Sequence, residues 1–194
     1  MHQNSLLAFK AHALPLITPG VRVLEVGPHK KQGYYRAALA SDEQHNGTSW
    51  TFCDRTVTEG RQGWIGMSDE YSIESGDSVY HVVLAGQVIE HVRKPWVWVP
   101  ELARVTRRGG LVILIGPISW AHHNAPVDCW RIWPEGYRAL FEEAGLEEVL
   151  IQEARLDASA RDHRYQINPG PVLDCVAVGR KPATQESTEE GPPA

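Results

Sequence analysis

Four short runs of apolar, largely β-branched residues recur along the chain at wide separations: residues 21–27, 50–53, 79–85 and 111–115. Runs of this length fit strands buried on both faces, and helix-length segments between them imply parallel pairing through crossovers. The expected architecture is α/β, a doubly wound, mostly parallel sheet with helices on both faces. A short leading helix is expected over residues 5–17, which end in Pro15 and Thr18-Pro19-Gly20, and another within 34–39. A third is expected over 95–107, with Leu102 and Val105 buried and Arg107-Arg108 against its negative C-terminal end; Gly109-Gly110 then turns the chain into the next strand. Residues 135–145 pattern as an amphipathic helix closed by Gly145, followed by strands at 149–151 and 173–178, with an antiparallel strand expected at the C-terminal end.

With 194 residues the chain can build one sizeable core but not two ordinary domains, so residues 1–181 are expected to form one catalytic domain. The composition shifts to Pro, Glu, Thr, Ser and Gly from Pro182, and residues 182–194 are expected to be a disordered tail. The net charge of −5 comes from 19 basic and 24 acidic side chains scattered without a basic stripe, which disfavours nucleic acid as a partner. No apolar run approaches the roughly 20 residues that span a bilayer, and the opening residues lack the pattern of a signal peptide. A soluble, cytoplasmic protein is expected. Cys53, Cys129 and Cys175 are odd in number and widely spaced, which suits neither a disulfide framework nor a zinc site.

The loop after the first run reads Glu25-Val26-Gly27-Pro28-His29-Lys30-Lys31-Gln32-Gly33. Glycines between a first strand and a first helix allow a tight turn and close backbone approach to a ligand. The pattern is not GxGxxG, because His29 takes the second glycine position, so a pyrophosphate would be poorly cradled and NAD is disfavoured. An acid at Glu25 suits a cationic ligand end such as an α-amino group. The second run ends at Asp54, where doubly wound folds place the acid that holds a ribose diol; a plain strand-end turn is the structural alternative.

Residues 23–28, then 82–92 with Gly86-Gln87-Val88-Ile89-Glu90-His91, then Pro95-Trp96, Glu101-Leu102-Ala103-Arg104-Val105 and Gly109-Gly110-Leu111 resemble successive motifs of class I S-adenosylmethionine-dependent methyltransferases of the broad type 11 group. Order and spacing match over roughly residues 21–150, and the resemblance implies a Rossmann-like fold with S-adenosyl-L-methionine as cofactor. It also implies that Glu25 and Gly27 line the methionine part, that Asp54 holds the ribose, and that Ala85, Gly86 and Gln87 lie near both, with Pro28 and Gly33 of the same loop as further cofactor-binding candidates. Asp69 is the candidate acid for the adenine. His29 and Lys31 stand where later glycines are usual, which implies a different loop path, and His81 stands where an aspartate is common. Residues 123–131 with Pro134-Glu135-Gly136 are similar to a subgroup associated with sugar and polysaccharide modification.

Methyl transfer from a sulfonium needs chiefly alignment and, for a hydroxyl acceptor, removal of a proton. His122 and His123 follow the fifth strand on the ligand-binding side of an open sheet, so either is a candidate base with Asp128 to orient it. A solvated loop with chance histidines is the alternative. His91 is read as structural first and catalytic second. Asp128 and Arg131 bracket Trp130 as a bidentate salt bridge that fixes the acceptor loop, with direct substrate contact the alternative, and Trp120, Trp130 and Trp133 cluster in the region expected to face the acceptor, as an aromatic surface or as core packing. A metal held by His122, His123 and Asp128 is the weaker reading, since such ligands suit transition metals better than magnesium, and no metal is expected. About 20 residues precede the first strand, so the site is expected to be open or completed by a second subunit, as in a homo-oligomer. The function expected is O-methylation of a small-molecule acceptor, a sugar or secondary metabolite. N-methylation, a non-catalytic cofactor-binding subunit and, least of all, a nicotinamide oxidoreductase are the rivals.

Overall fold

The computed structural model describes residues 3–28, 33–40, 47–57, 60–155 and 172–183. Seven strands, β1 (Arg22–Val26), β2 (Ser49–Cys53), β3 (Trp64–Ile65), β4 (Tyr80–Gly86), β5 (Thr106–Ser119), β6 (Glu147–Arg155) and β7 (Leu173–Arg180), form one sheet ordered β3-β2-β1-β4-β5-β7-β6. Pairing is parallel from β3 through to β5, and β7 alone is reversed, antiparallel to both β5 and β6. The sheet is therefore the Rossmann-like, mostly parallel one expected, with its antiparallel strand at the C-terminal end.

Helices α1 (Gln3–Ala8), α2 (Tyr34–Ala40), α3 (Pro95–Val105) and α4 (Pro134–Glu143) cover it from both sides. Alternation along β5 shows why. Val112 and Leu114 enter a core with Trp98, Leu102, Tyr137 and Phe141 of α3 and α4, whereas Leu111, Ile113 and Ile115 enter a second core with Phe9, Ala13, Tyr35 and Leu39. A strand apolar on both faces can be buried only between two layers, each fully buried Leu or Ile contributing roughly 1.5–3 kcal/mol.

Three boundaries differ from expectation. The leading helix starts at Gln3 and tightens through a π-helical turn, Phe9–Ala13, and a 3-10 turn, Leu14–Leu16, before Ile17 becomes extended. Helix α3 ends at Val105, because Thr106 turns to φ −73°, ψ 133° and its hydroxyl donates to the Leu102 carbonyl at 2.7 Å. Arg107 and Arg108 thus stand exposed on extended backbone beyond the helix end, and Gly109-Gly110 lie within β5, bonded to Lys181. Strand β3 was not expected: two residues flanked by glycine and polar side chains carry no periodicity. Helix α4 does begin at a proline and close at Gly145, φ +64°. No helix among the described residues is long and apolar enough to cross a membrane. All three cysteines are free. The expected tail lies outside the described residues beyond residue 183.

Candidate functional site

The C-terminal ends of β1, β2 and β4 open onto a cavity of about 480 Å3, whose walls include Gly27, Asp54, Met67, Gln87, His91 and Trp98. Open α/β sheets bind ligands at this end, because the strand-to-helix turns there expose backbone and side chains above the sheet edge. Gly27 leaves β1 at φ +66°, donates its amide to the Cys53 carbonyl at 2.8 Å, and has Val88 Cγ2 only 2.6 Å from where a Cβ would stand. That turn holds the ends of β1 and β2 together at the mouth.

Glu25 does not line the cavity. It is buried on the opposite face of β1, accepts a hydrogen bond from Trp50 Nε1 at 3.1 Å, and burial pushes its carboxyl up to about 7. Gly33 packs so closely on this carboxylate that a Cβ there would overlap it. Glu25 and Gly33 thereby fix where the loop returns to α2, and Pro28 is buried at its start. His29 and Lys31 lie outside the described residues.

Asp54, just past β2, does line the cavity, and its Oδ1 accepts both the Thr56 amide and the Thr56 hydroxyl at 2.9 Å. It is therefore a turn-forming residue that also lines the mouth of the cavity. Ala85 and Gly86 are buried in β4 and are not among the lining residues, Gly86 packing against the Tyr35 hydroxyl. The next residue, Gln87, lines the cavity with φ +59°, an uncommon conformation for a side chain of this kind. Its amide donates to Asp174 Oδ1 on β7 at 3.0 Å, and Asn4 Nδ2 donates to Asp174 Oδ2 at 2.6 Å. Burial pushes the Asp174 carboxyl up to about 7. Asp69 is not among the lining residues: its carboxylate is spent on an exposed turn, accepting from the Tyr71 amide and the Ser72 hydroxyl at 2.7 and 2.9 Å. Met67 and Glu70 line the cavity from that loop instead.

The opposite wall is built by the turn after β4 and the segment after β5. Asp128, with its side chain almost wholly buried, makes the bidentate pair with Arg131, whose fork also donates to the carbonyls of Trp120 and Ala121. The guanidinium holds the Asp128 carboxyl well below the usual carboxylate range. Asp128 also accepts the His123 backbone amide at 2.8 Å, with His123 Nδ1 3.4 Å away. His123 meets His91 edge-on, ring centroids 5.0 Å apart. His91 lines the cavity, its Nδ1 is bonded to the Val127 carbonyl, and burial lowers its pKa. His122 is exposed and not among the lining residues. Of the tryptophans, the one that lines the cavity is Trp98, buried in α3; Trp130 instead donates Nε1 to the Val92 carbonyl, and Trp133 is exposed. His81 sits at the other end of β4, its Nδ1 accepting the Arg22 amide.

Sequence reasoning missed Trp98 and Met67, whose cavity role follows only from packing, and gave no role to Glu90, which lies beside His91 and His123 (see below).

No protein-family model and no curated protein matches the sequence. Solved structures do. A SAM-dependent methyltransferase from Aquifex aeolicus superposes with a TM-score of 0.56 at 15% identity, over 90% of this chain and 88% of that one. Phosphoethanolamine N-methyltransferase 2 of Haemonchus contortus, solved with phosphomonomethylethanolamine and S-adenosylhomocysteine, gives 0.61 at 13% identity, over 93% of this chain and 53% of its own. The [4+2]-cyclase SpnF gives 0.62 at 16% identity, over 93% and 80%. Superposition on these structures over at least 90% of the chain, with the sheet ordered β3-β2-β1-β4-β5-β7-β6 and β7 reversed, shows that this chain has the class I S-adenosylmethionine-dependent methyltransferase fold.

Proposed function

We propose that the chain binds S-adenosylmethionine in this cavity and transfers its methyl group to a hydroxyl of a sugar or other small molecule. The observation that carries the reading is the convergence of the Gly27 turn, the Asp54 carboxylate and Gln87 on one cavity of about 480 Å3, within the range of small-molecule sites. Asp54 offers a carboxylate for the ribose diol. The Gly27 turn lets the methionine part approach the backbone, and Met67 and Trp98 give the cavity its apolar walls. His91, whose burial disfavours the protonated ring, stands on the side where an acceptor would enter.

The test is calorimetric titration of the purified chain with S-adenosylhomocysteine, with NAD as control. Saturable binding is expected, weakened in Asp54→Ala by the ~1–3 kcal/mol of a lost charged hydrogen-bond partner, or about 5- to 150-fold in Kd. Absence of binding by the wild-type chain would sink the reading. Hydroxyl acceptors are then separated from amines by methyl transfer to a panel of both.

A further inference from the structure

We propose that Glu90, His91 and His123 form a binding site for one divalent transition-metal ion at the wall of the cavity. The three side chains each offer a ligand atom, and all lie within 4.8 Å of one another. Glu90 Oε1 and His91 Nε2 are 3.7 Å apart, close to the separation that two ligands of one ion require when each bond is about 2.1 Å long. The chain reaches this arrangement through the 3-10 turn Ile89–His91 after β4 and the segment after β5, two elements that meet where the Cys129 amide donates to the Glu90 carbonyl at 2.7 Å.

Two independent features point to a cation. Glu90 is 1% exposed, and neither carboxylate oxygen has a hydrogen-bond partner among the described residues. A carboxyl removed from water either keeps its proton or, if ionised, costs several kcal/mol unless something compensates its charge. Arg131, whose charge acts on Glu90 through space, spends its fork on Asp128 and three backbone carbonyls. A metal ion would supply the missing partner. The second feature is the orientation of the imidazoles. In metalloproteins the ring nitrogen away from the metal is held by a carbonyl or carboxylate, which fixes the tautomer. His91 Nδ1 is bonded to the Val127 carbonyl, and His123 Nδ1 lies 3.2 Å from the Ala121 carbonyl and 3.4 Å from Asp128 Oδ2. Each ring therefore has its Nδ1 engaged, which directs Nε2 to ligation.

Two imidazoles and one carboxylate suit zinc, manganese, iron, cobalt or nickel better than magnesium or calcium, which prefer oxygen ligands. Three protein ligands leave positions open for water or a substrate oxygen. The set replaces the His122, His123 and Asp128 combination read from the sequence, because Arg131 occupies Asp128 and His122 stands exposed. In one respect the site deepens the methyl-transfer reading and rests on it: a metal there would bind the acceptor hydroxyl and ease loss of its proton to water.

The test uses the full chain stripped with a chelator and titrated with Co2+ and Zn2+, read by calorimetry and by the visible absorption of bound Co2+. One equivalent is expected to bind, at least tenfold more weakly in His123→Ala and Glu90→Gln and unchanged in His122→Ala. His123 is half-exposed, so its removal spares the core and keeps the test sound if Glu90→Gln folds poorly. No saturable uptake, uptake indifferent to His123→Ala, or equal loss in His122→Ala would overturn the proposal. S-adenosylhomocysteine binding to the stripped chain reports on the cofactor cavity alone, so the metal site and the cofactor reading fail separately.

Discussion

Gly27 carries two constraints that act in the same direction. Its φ of +66° strains any residue with a Cβ, and Val88 Cγ2 stands 2.6 Å from that position. Left-handed strain costs about 1–2 kcal/mol and local overpacking adds to it. Gly27→Ala is therefore expected to lower stability by about 2–4 kcal/mol, read as a fall in the urea midpoint at unchanged m. The same reasoning explains which site residues could be read from sequence. Gly27, Asp54 and Gln87 each stand at or within two residues of the end of an apolar run, and a strand's end fixes its neighbours at the ligand-binding edge whatever the rest of the chain does. Glu25 was legible as a loop acid but not as one facing away from the cavity, because side alternates along a strand and one register step decides it. The choice among His91, His122 and His123 was not legible, since it depends on how the segment after β5 folds back over the turn after β4. Arg131 sets that fold-back by gripping the Trp120 carbonyl and Asp128 at once.

At the scale of elements, the loop from β3 to β4 has almost no regular structure, yet it supplies Met67 and Glu70 to the cavity. Helix α3 holds it. Arg104 donates to the carbonyls of Ile73 and Ser75 and pairs with Glu101 and Asp77, while Glu101 Oε1 accepts the Ile73 amide at 2.7 Å. The loop's conformation is thus set from one turn of one helix. Arg104→Met keeps most of the aliphatic stem and removes the fork, at an expected cost of about 1–3 kcal/mol for the hydrogen bonds to a charged group. Hydrogen exchange is expected to accelerate first at the Ile73 and Glu74 amides, and S-adenosylhomocysteine affinity to fall several-fold without any contact residue being changed. Equal acceleration across β4 and β5 would instead mean global loss of stability.

For the molecule as a whole, the balance of buried acids sets the dependence of stability on pH. Glu25 and Asp174 have carboxyls pushed up to about 7 and Glu90 to about 8, each chiefly by burial. An acid whose folded pKa lies above its unfolded value holds a proton in the folded state that the unfolded chain has already released. Its contribution is complete below the unfolded value near 4, and is lost as pH rises through the folded one. Asp128 works in the opposite sense: Arg131 lowers its pKa, so its contribution holds above pH 4 and fades in acid. The metal-free chain is therefore expected to melt highest in mild acid and progressively lower from pH 5 to pH 8. Glu90→Gln removes one of the three groups, so its melting temperature is expected to gain on wild type across that interval and the gap to level off above pH 8. Calorimetric melts at pH 5, 6.5 and 8 in chelator check this; a gap constant with pH would show that Glu90 is ionised throughout. Bound metal reverses the sense, since the ion needs the carboxylate and neutral imidazoles. Wild type with Co2+ is expected to lose its high-pH deficit, and Glu90→Gln, with nothing to neutralise, to respond far less.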